Sequence, residues 1–573
     1  MGVKQFFPWV RRTFPSQIQD MKKGENVNDK GAEVDVFMID MNGLYHSSAQ
    51  FVYKYGNHKP FKPLMKKRPE RPYDKKKKEI EMFKHVCDTV DGLARIVRPK
   101  ERLVLCVDGP APLGKQYQQR SRRFRSAMEK TEEEMSQCFD SNCLTPGTQF
   151  MDNLSRYIDW YIRKKLTEDS FWQEFEVIFS SEKAAKEGEQ KLIEYIRDFG
   201  SPEQTYCIHG LDADIIMLSL ATHMPKFYVI RDDLYNRANE FFLVDIGGIR
   251  PELVEIMRWK GEFNEKQAVN DFVFICFMVG NDFLPHIPSL EIIQGGIEVM
   301  LDVYRNVCPD YGHLTFYEED KQIVFSPECM KAFIGTIGQY EKGLFDEKLN
   351  GKNSFFPDNI LDRAVSTVGK THSVDINKYR EEYMKECFPE GVTEEDICHT
   401  YLEGMQWVIT YYSSHVPNWQ WFYPYNYAPF ASHITKYIDT YERKVYGKTT
   451  PSMPFQQLIS VLPPQSASLI PPPLSTLLTD PESSLAKFCP KELVIDLAGK
   501  RKEWEGIVIL PMIEYDAVKS AYEANISLVP DAAKRRNRLC KSFIYFSGSP
   551  GGDFKSYFGD IPASRAKTVP III

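Results

Sequence analysis

Residues 36–46 read VFMIDMNGLYH and residues 102–112 read RLVLCVDGPAP. Each is a short apolar run that ends in an aspartate with a glycine soon after. A continuous apolar run of this length, bounded by turn formers, is the pattern of a strand buried on both faces, as in a parallel sheet covered by helices. Working outward, strands are predicted at Val36–Ile39, Leu103–Val107, Glu176–Phe179, Thr205–Ile208, Phe227–Ile230 and Phe241–Val244, with amphipathic stretches between them. That alternation predicts an α/β fold. Four of the runs lead into acids: Asp40, Asp108, Asp212 with Asp214, and Asp232–Asp233. In open α/β sheets the ligand crevice lies outside the carboxyl ends of the strands, so recurring acids there have the form of a metal site.

Further acids join the set. Glu187 and Glu189 open an amphipathic stretch, EGEQKLIEYIRDF (187–199), at the end of a helix where carboxylates also favour the positive dipole. Asp212 and Asp214 lie in CIHGLDADIIMLSL (207–220), and Asp282 follows the apolar run in FVFICFMVGNDFLPHIP (272–288). A lone Asp after a strand is usually a turn former or a helix cap; the repetition is what points to a site. If they converge, these carboxylates repel one another unless cations neutralise them. Hard oxygen ligands without His or Cys favour Mg²⁺ or Mn²⁺ over zinc. Two such ions about 4 Å apart suit hydrolysis of a phosphodiester.

After Asp108 comes GPAPLGKQYQQRSRRFRSAMEK (109–130), with five cations and no acid between Lys115 and Arg125. Lys115, Gln119, Arg122 and Arg123 fall at i, i+4, i+7 and i+8, which gathers them on one helical face. Arginine forks bind phosphate bidentately and lysine adds a point charge, so this face suits a terminal phosphate. His46, and Trp419 or Trp421 in WQWFYPYNYAP (419–429), are candidates to stack on a base. Tyr423, Tyr425 and Tyr427 read as core. Between Lys54 and Lys78 stand eleven Lys/Arg against two acids, a solvated basic loop that includes the Lys75–Lys78 run.

A chain of 573 residues exceeds the roughly 250–300 at which single cores stop growing, so two or three domains are expected. With 72 Lys+Arg against 79 Asp+Glu the net charge is −7, which excludes a histone-like polycation but not a local basic patch. No apolar run approaches the roughly 20 residues of a membrane span, so no membrane association is expected. No secretory signal opens the chain, and its twelve cysteines include no CxxC pair. They read as reduced core residues of an intracellular protein, with cytoplasm and nucleus equally open.

The blocks MGVKQFFPWV (1–10), IDMNGLYH (39–46), DGPAPLGKQYQQRSRRFRSA (108–127), EGEQKLIEYIR (187–197), GLDADIIML (210–218) and DFVFICFMVGNDFLPHIP (271–288) resemble the Xrn family of 5′→3′ exoribonucleases. So do WQWFYPYNYAP (419–429), MPFQQLISVLPPQSASLIP (453–471) and DLAGKRKEWEGIVILP (496–511). The resemblance implies a PIN/FEN-like nuclease core, a mostly parallel sheet flanked by helices, over residues 1–345. A polar linker (346–400), a second conserved α/β region packed against the core (401–515) and a C-terminal segment (516–573) would follow. It implies Asp40, Asp108, Glu187, Glu189, Asp212, Asp214 and Asp282 as ligands of two Mg²⁺ ions. Lys115, Gln119, Arg122 and Arg123 would form the pocket for a 5′-monophosphate, and His46 would stack under the first base, with Trp419 or Trp421 as its partner. The expected activity is processive hydrolysis of single-stranded RNA bearing a 5′-monophosphate to nucleoside 5′-monophosphates, by a monomer. A non-catalytic RNA-binding scaffold on a nuclease fold and a 5′ flap DNA nuclease are the alternatives. The family's Pro-Gly-Glu-Gly-Glu-His stretch stands here as AAKEGEQ (184–190), which keeps both acids and loses the Pro and the His.

Overall fold

The computed structural model describes residues 5–56, 74–129, 139–233, 239–319, 322–351 and 355–573. Most of the basic loop expected between Lys54 and Lys78 therefore lies outside the described residues. The frame is a nine-stranded sheet: β1 (Ile18–Lys22), β2 (Val36–Asp40), β3 (Arg102–Cys106), β4 (Glu176–Ser180), β5 (Tyr206–His209), β6 (Phe227–Asp232), β7 (Asn239–Asp245), β8 (Ser542–Ser547) and β9 (Ala566–Ile571). Their spatial order is β1-β7-β6-β5-β2-β3-β4-β8-β9. The five central strands, β6 to β4, are mutually parallel. Antiparallel strands extend the sheet on both sides, β7 and β1 beyond β6, and β8 and β9 beyond β4.

All six predicted strands are present. They were legible because central strands bury both faces; every residue of β2 is buried. The edge strands carried no such signal: β1 reads IQDMK and buries only Met21. Helices cover both faces of the sheet. One face packs a large core that includes Leu218, Phe272 and Phe274; the other packs Phe83, Val90 and Ile158.

Three expectations change. The described residues of 346–400, expected as a polar linker, are folded. They hold the end of the helix Pro327–Asn350, a hairpin of Val365–Val368 with Thr371–Val374, and the helix Ile376–Cys387. A few large side chains suffice for a core here: Phe345, Leu361, Tyr379, Tyr383, Phe388 and Phe430 pack together, and aromatics bury enough area to offset a polar composition. The C-terminal segment is not separate, since β8 pairs with β4 through Phe543↔Phe179 and Tyr545↔Val177. Finally, Lys75–Lys78 is not loop. Asp74 accepts from Lys76 N and Lys77 N and caps the helix Lys75–Val97, whose apolar face then holds the lysines in helical register.

The second half packs against the helices of the nine-stranded sheet. Tyr401, Trp407 and Tyr411 of the helix Glu394–Ser413 share one core with Ile215 and Ile216 behind β5. The helix Pro454–Val461 builds a separate cluster against Tyr117. No helix among the described residues is long and apolar enough to cross a membrane.

Candidate active site

Register decides where the acids meet. Asp40 is the last residue of β2 and lies level with Cys106 of β3, and Ile39 lies level with His209 of β5. Asp108, two residues past β3, and the loop of Asp212 and Asp214, just past β5, therefore emerge beside Asp40 on one edge of the sheet. The loop after β4 is drawn to the same edge, because Gly109 N donates to Lys186 O at 2.8 Å and Lys186 N to Pro110 O at 2.9 Å. Only glycine fits at 109: a Cβ there would lie 1.7 Å from Ala184 O. That clamp starts the helix Gly188–Phe199 over the crevice, with Glu187 and Glu189 at its head.

The contacts inside the crevice are short. Gly188 N donates to Asp108 Oδ1 at 2.7 Å. Asn42 bridges two of the acids, its amide Nδ2 donating to Asp108 Oδ2 at 2.8 Å and its backbone N to Asp40 Oδ1 at 3.3 Å. Asp40, Glu189 and Asp212 each offer an oxygen, all within 4.8 Å of one another. Lys115 Nζ contacts Glu187, lies 2.7 Å from Asp282 and 3.8 Å from Glu189. Asp214, 3% exposed, has an oxygen with no hydrogen-bond donor among the described residues. All seven acids singled out in the sequence thus share one crevice.

They are not at ease there. Burial, then Asp108 and Asp212, pushes Asp40 well above the usual carboxylate range. Burial and then Asp214 does the same to Glu189, and burial raises Glu187. Asp214 is pushed up to about 7 by burial and the charges of Asp212 and Asp282. At Asp282 burial is outweighed by the Lys115 ammonium, which holds that carboxyl low. A site in which burial and mutual repulsion raise Asp40, Glu187, Glu189 and Asp214, and whose donors are all carboxylate oxygens, fits hard divalent cations.

Lys115 sits within this acidic cluster and not with the other pocket residues. Further along the helix Leu113–Met128, Gln119 and Arg123 are buried, and Gln119 Oε1 and Arg123 Nη1 have no hydrogen-bond partner among the described residues. Arg122 is exposed. Burial, and then the neighbouring Arg122, lowers Arg123 to about 9. Arg120, the second cation of the run, points away from these: it is fully buried and donates to Ser460 O and Phe488 O, anchoring the helix. His46, on the helix Met41–Tyr53, is lowered to about 4 by burial and then by Arg122 and Arg123, so its ring is neutral beside them.

The two tryptophans part company. Trp421 is buried, its ring stacked on Trp407 with centroids 5.1 Å apart and planes at 22°; it is core, and not available to a base. Trp419 is half-buried, and its carbonyl accepts from Leu113 N at 2.8 Å at the start of the basic helix. The reading of residues missed Asn42, Gly188, Tyr411, whose hydroxyl donates to Glu187 Oε2 at 2.7 Å, and Arg231, which donates to Asp212 O at 2.9 Å. Asn42-Gly43, two residues past a strand-end aspartate, was the one local signal; Tyr411 lies 224 residues from its partner.

Comparison with known proteins identifies the family. The family described as the XRN 5'-3' exonuclease N-terminus matches residues 1–233, and that described as the Xrn1 helical domain matches 262–378 and 376–553. A 5'-3' exoribonuclease 2 of Gallus gallus is 28% identical, over 94% of this chain and 71% of its own. A 5'-3' exoribonuclease 2 homolog of Drosophila melanogaster is 29% identical, over 96% and 73%. A 5'-3' exoribonuclease 1 of Schizosaccharomyces pombe is 27% identical over 100% of this chain and 52% of its own. Among solved structures, the catalytic core of Rad2 in complex with DNA substrate is similar over 60% of this chain and 75% of its own. That match has 13% sequence identity and a TM-score of 0.30.

Proposed function

The chain belongs to the XRN 5'-3' exonuclease family and is an exoribonuclease, and from that premise we propose that it hydrolyses single-stranded RNA with a 5′-monophosphate to nucleoside 5′-monophosphates with the help of two Mg²⁺ ions. One observation carries the reading. Seven carboxylates gather in one crevice with Lys115 among them, and Arg123, two turns and more along the same helix from Lys115, is a buried guanidinium whose Nη1 has no hydrogen-bond partner among the described residues. The first group calls for cations, and the second for an anion of limited size.

Asp40, Asp108, Glu187, Glu189, Asp212, Asp214 and Asp282 would hold the cations, with Mn²⁺ able to replace Mg²⁺. When bound, the pair supplies the positive charge under which water attacks and the ribose oxygen leaves. The chain's own side chains do the rest. Arg123, with Gln119 and the exposed Arg122, grips the terminal phosphate, and its forked donors suit two phosphate oxygens at once. Because Arg123 and Gln119 are buried, the pocket has little depth to spare, which disfavours capped and triphosphate ends. Neutral His46 would present a ring face to the first base without adding a charge, and with Trp421 committed to the core, Trp419 is the better candidate to stack from the other side. Stacking of this kind is indifferent to sequence, so a strand can advance one base at a time.

Incubating the protein with 5′-monophosphate and 5′-hydroxyl forms of one single-stranded RNA tests the pocket. Faster decay of the monophosphate form is expected, and equal decay of both overturns it. Asp212→Ala with Asp214→Ala is expected to abolish hydrolysis and to spare RNA binding; turnover that survives removes the two-cation reading.

A further inference from the structure

The helix Glu394–Ser413 belongs to the part of the chain matched as a helical domain, yet one of its side chains ends inside the acidic crevice. Tyr411, 2% exposed, donates its hydroxyl hydrogen to Glu187 Oε2 at 2.7 Å. The other oxygen of Glu187, Oε1, is the one that faces Lys115 Nζ. The two contacts differ in kind. Lys115 is shared with Asp282 at 2.7 Å and Glu189 at 3.8 Å, so its hold on Glu187 is one that incoming positive charge displaces. The phenol, on the opposite oxygen, competes with no cation at Oε1.

The ring that carries this hydroxyl is fixed on several sides. It stacks on Trp407 with centroids 5.0 Å apart and planes at 24°, and Trp407 stacks in turn on Trp421. It also meets the ring of Phe283, the neighbour of Asp282, edge-on at 5.2 Å. The same helix has no slack against these groups: a Cβ at Gly404 would lie 2.6 Å from Leu284 Cδ2 and 2.9 Å from Trp421 Cη2. Trp407 Nε1 donates to Asn418 O at 3.1 Å, the residue before Trp419. A ladder of rings therefore runs from the segment of Trp419 to the carboxylate of Glu187.

We infer that Tyr411 is a positioning residue for the cation site: by holding Oε2 it turns Oε1 of Glu187 into the crevice, and it ties the segment of Trp419 to the acidic cluster. The inference rests on the two-cation reading proposed above. Groups that orient a metal's ligands change affinity by roughly ten- to a hundredfold when removed, and Tyr411→Phe removes only the hydroxyl while keeping the ring in its ladder.

Calorimetric titration of Mn²⁺ into the full chain without RNA is the test, with Tyr411→Phe, Glu187→Gln and the double variant compared, and with melting curves in chelator as a control for folding. Tyr411→Phe is expected to bind Mn²⁺ roughly ten- to a hundredfold more weakly. In the Glu187→Gln background the same change is expected to add nothing, because it acts through Glu187. Unchanged Mn²⁺ affinity in Tyr411→Phe, or fully additive losses in the double variant, overturns the inference and leaves the two-cation reading standing. An unaltered protein that binds no Mn²⁺ overturns the reading itself.

Discussion

At the scale of single residues, Trp419 and Trp421 give the sharpest contrast, because they are two apart in sequence and share a composition. Trp421 fills a core position against Trp407, so Trp421→Ala is expected to cost about 3–5 kcal/mol of stability. Trp419 is only half-buried, so Trp419→Ala should leave stability nearly unchanged and weaken RNA binding by about 1–3 kcal/mol. Chemical denaturation together with RNA titration of both variants separates the two; a destabilised Trp419→Ala with unimpaired binding would remove it from the site. The sequence could not choose between them, since the choice depends on which ring meets the helix Glu394–Ser413. The acids were legible for the opposite reason. A strand end places its next residue at a predictable edge, so Asp40, Asp108, Asp212 and Asp214 were located by local pattern alone. Lys115 was grouped by its helical face with the phosphate-pocket residues, whereas in the fold it is committed to Glu187 and Asp282, the second of them 167 residues further along.

At the scale of elements, the helix Gly188–Phe199 is the piece on which the crevice depends. Its first residue makes the closest approach to the sheet: a Cβ at 188 would lie 2.8 Å from Asp40 Oδ1 and 2.9 Å from Cys106 O. The second of these atoms is backbone of a central strand and cannot give way. Gly188→Ala should therefore tilt the head of the helix outward, carrying Glu187 and Glu189 with it and breaking the bond from Gly188 N to Asp108. Displacements of about 1 Å at a reacting centre cost on the order of a hundredfold in rate. Turnover of monophosphorylated RNA is expected to fall by that order while far-ultraviolet dichroism stays native; a variant of normal rate would mean that the helix head is not held at that distance. The acids of the EGEQ stretch were visible in sequence, but the need for glycine between them was not, because the clash is with strands 80 and 150 residues upstream. The same asymmetry explains the sheet. Central strands announce themselves by apolar runs, whereas β1, β8 and β9 have one exposed side and were legible only through their partners.

At the scale of the whole molecule, proton binding ties the crevice to the stability of the fold. His46, His223 and His286 are each lowered from 6.5 to about 4, first by burial, with Arg122 and Arg123 adding at His46 and Lys500 at His286. Between pH 6.5 and 4 the unfolded chain binds protons at these positions that the folded chain does not, so these groups make stability fall as pH falls. The buried acids work in the opposite direction. Asp40, Glu187 and Glu189 are raised and Asp214 reaches about 7, so the folded chain takes up protons there first, and stability is gained as pH falls from about 7. Divalent cations seated among those carboxylates hold them ionised and cancel that gain. In chelator the two effects offset, and the melting temperature should change little between pH 7 and 5. With Mg²⁺ the histidines act unopposed and the melting temperature should fall across the same window. The stabilisation by Mg²⁺, read as the difference between the two melting curves, is therefore expected to shrink as pH drops below about 7, and a difference that stays constant with pH would place the cations away from these acids.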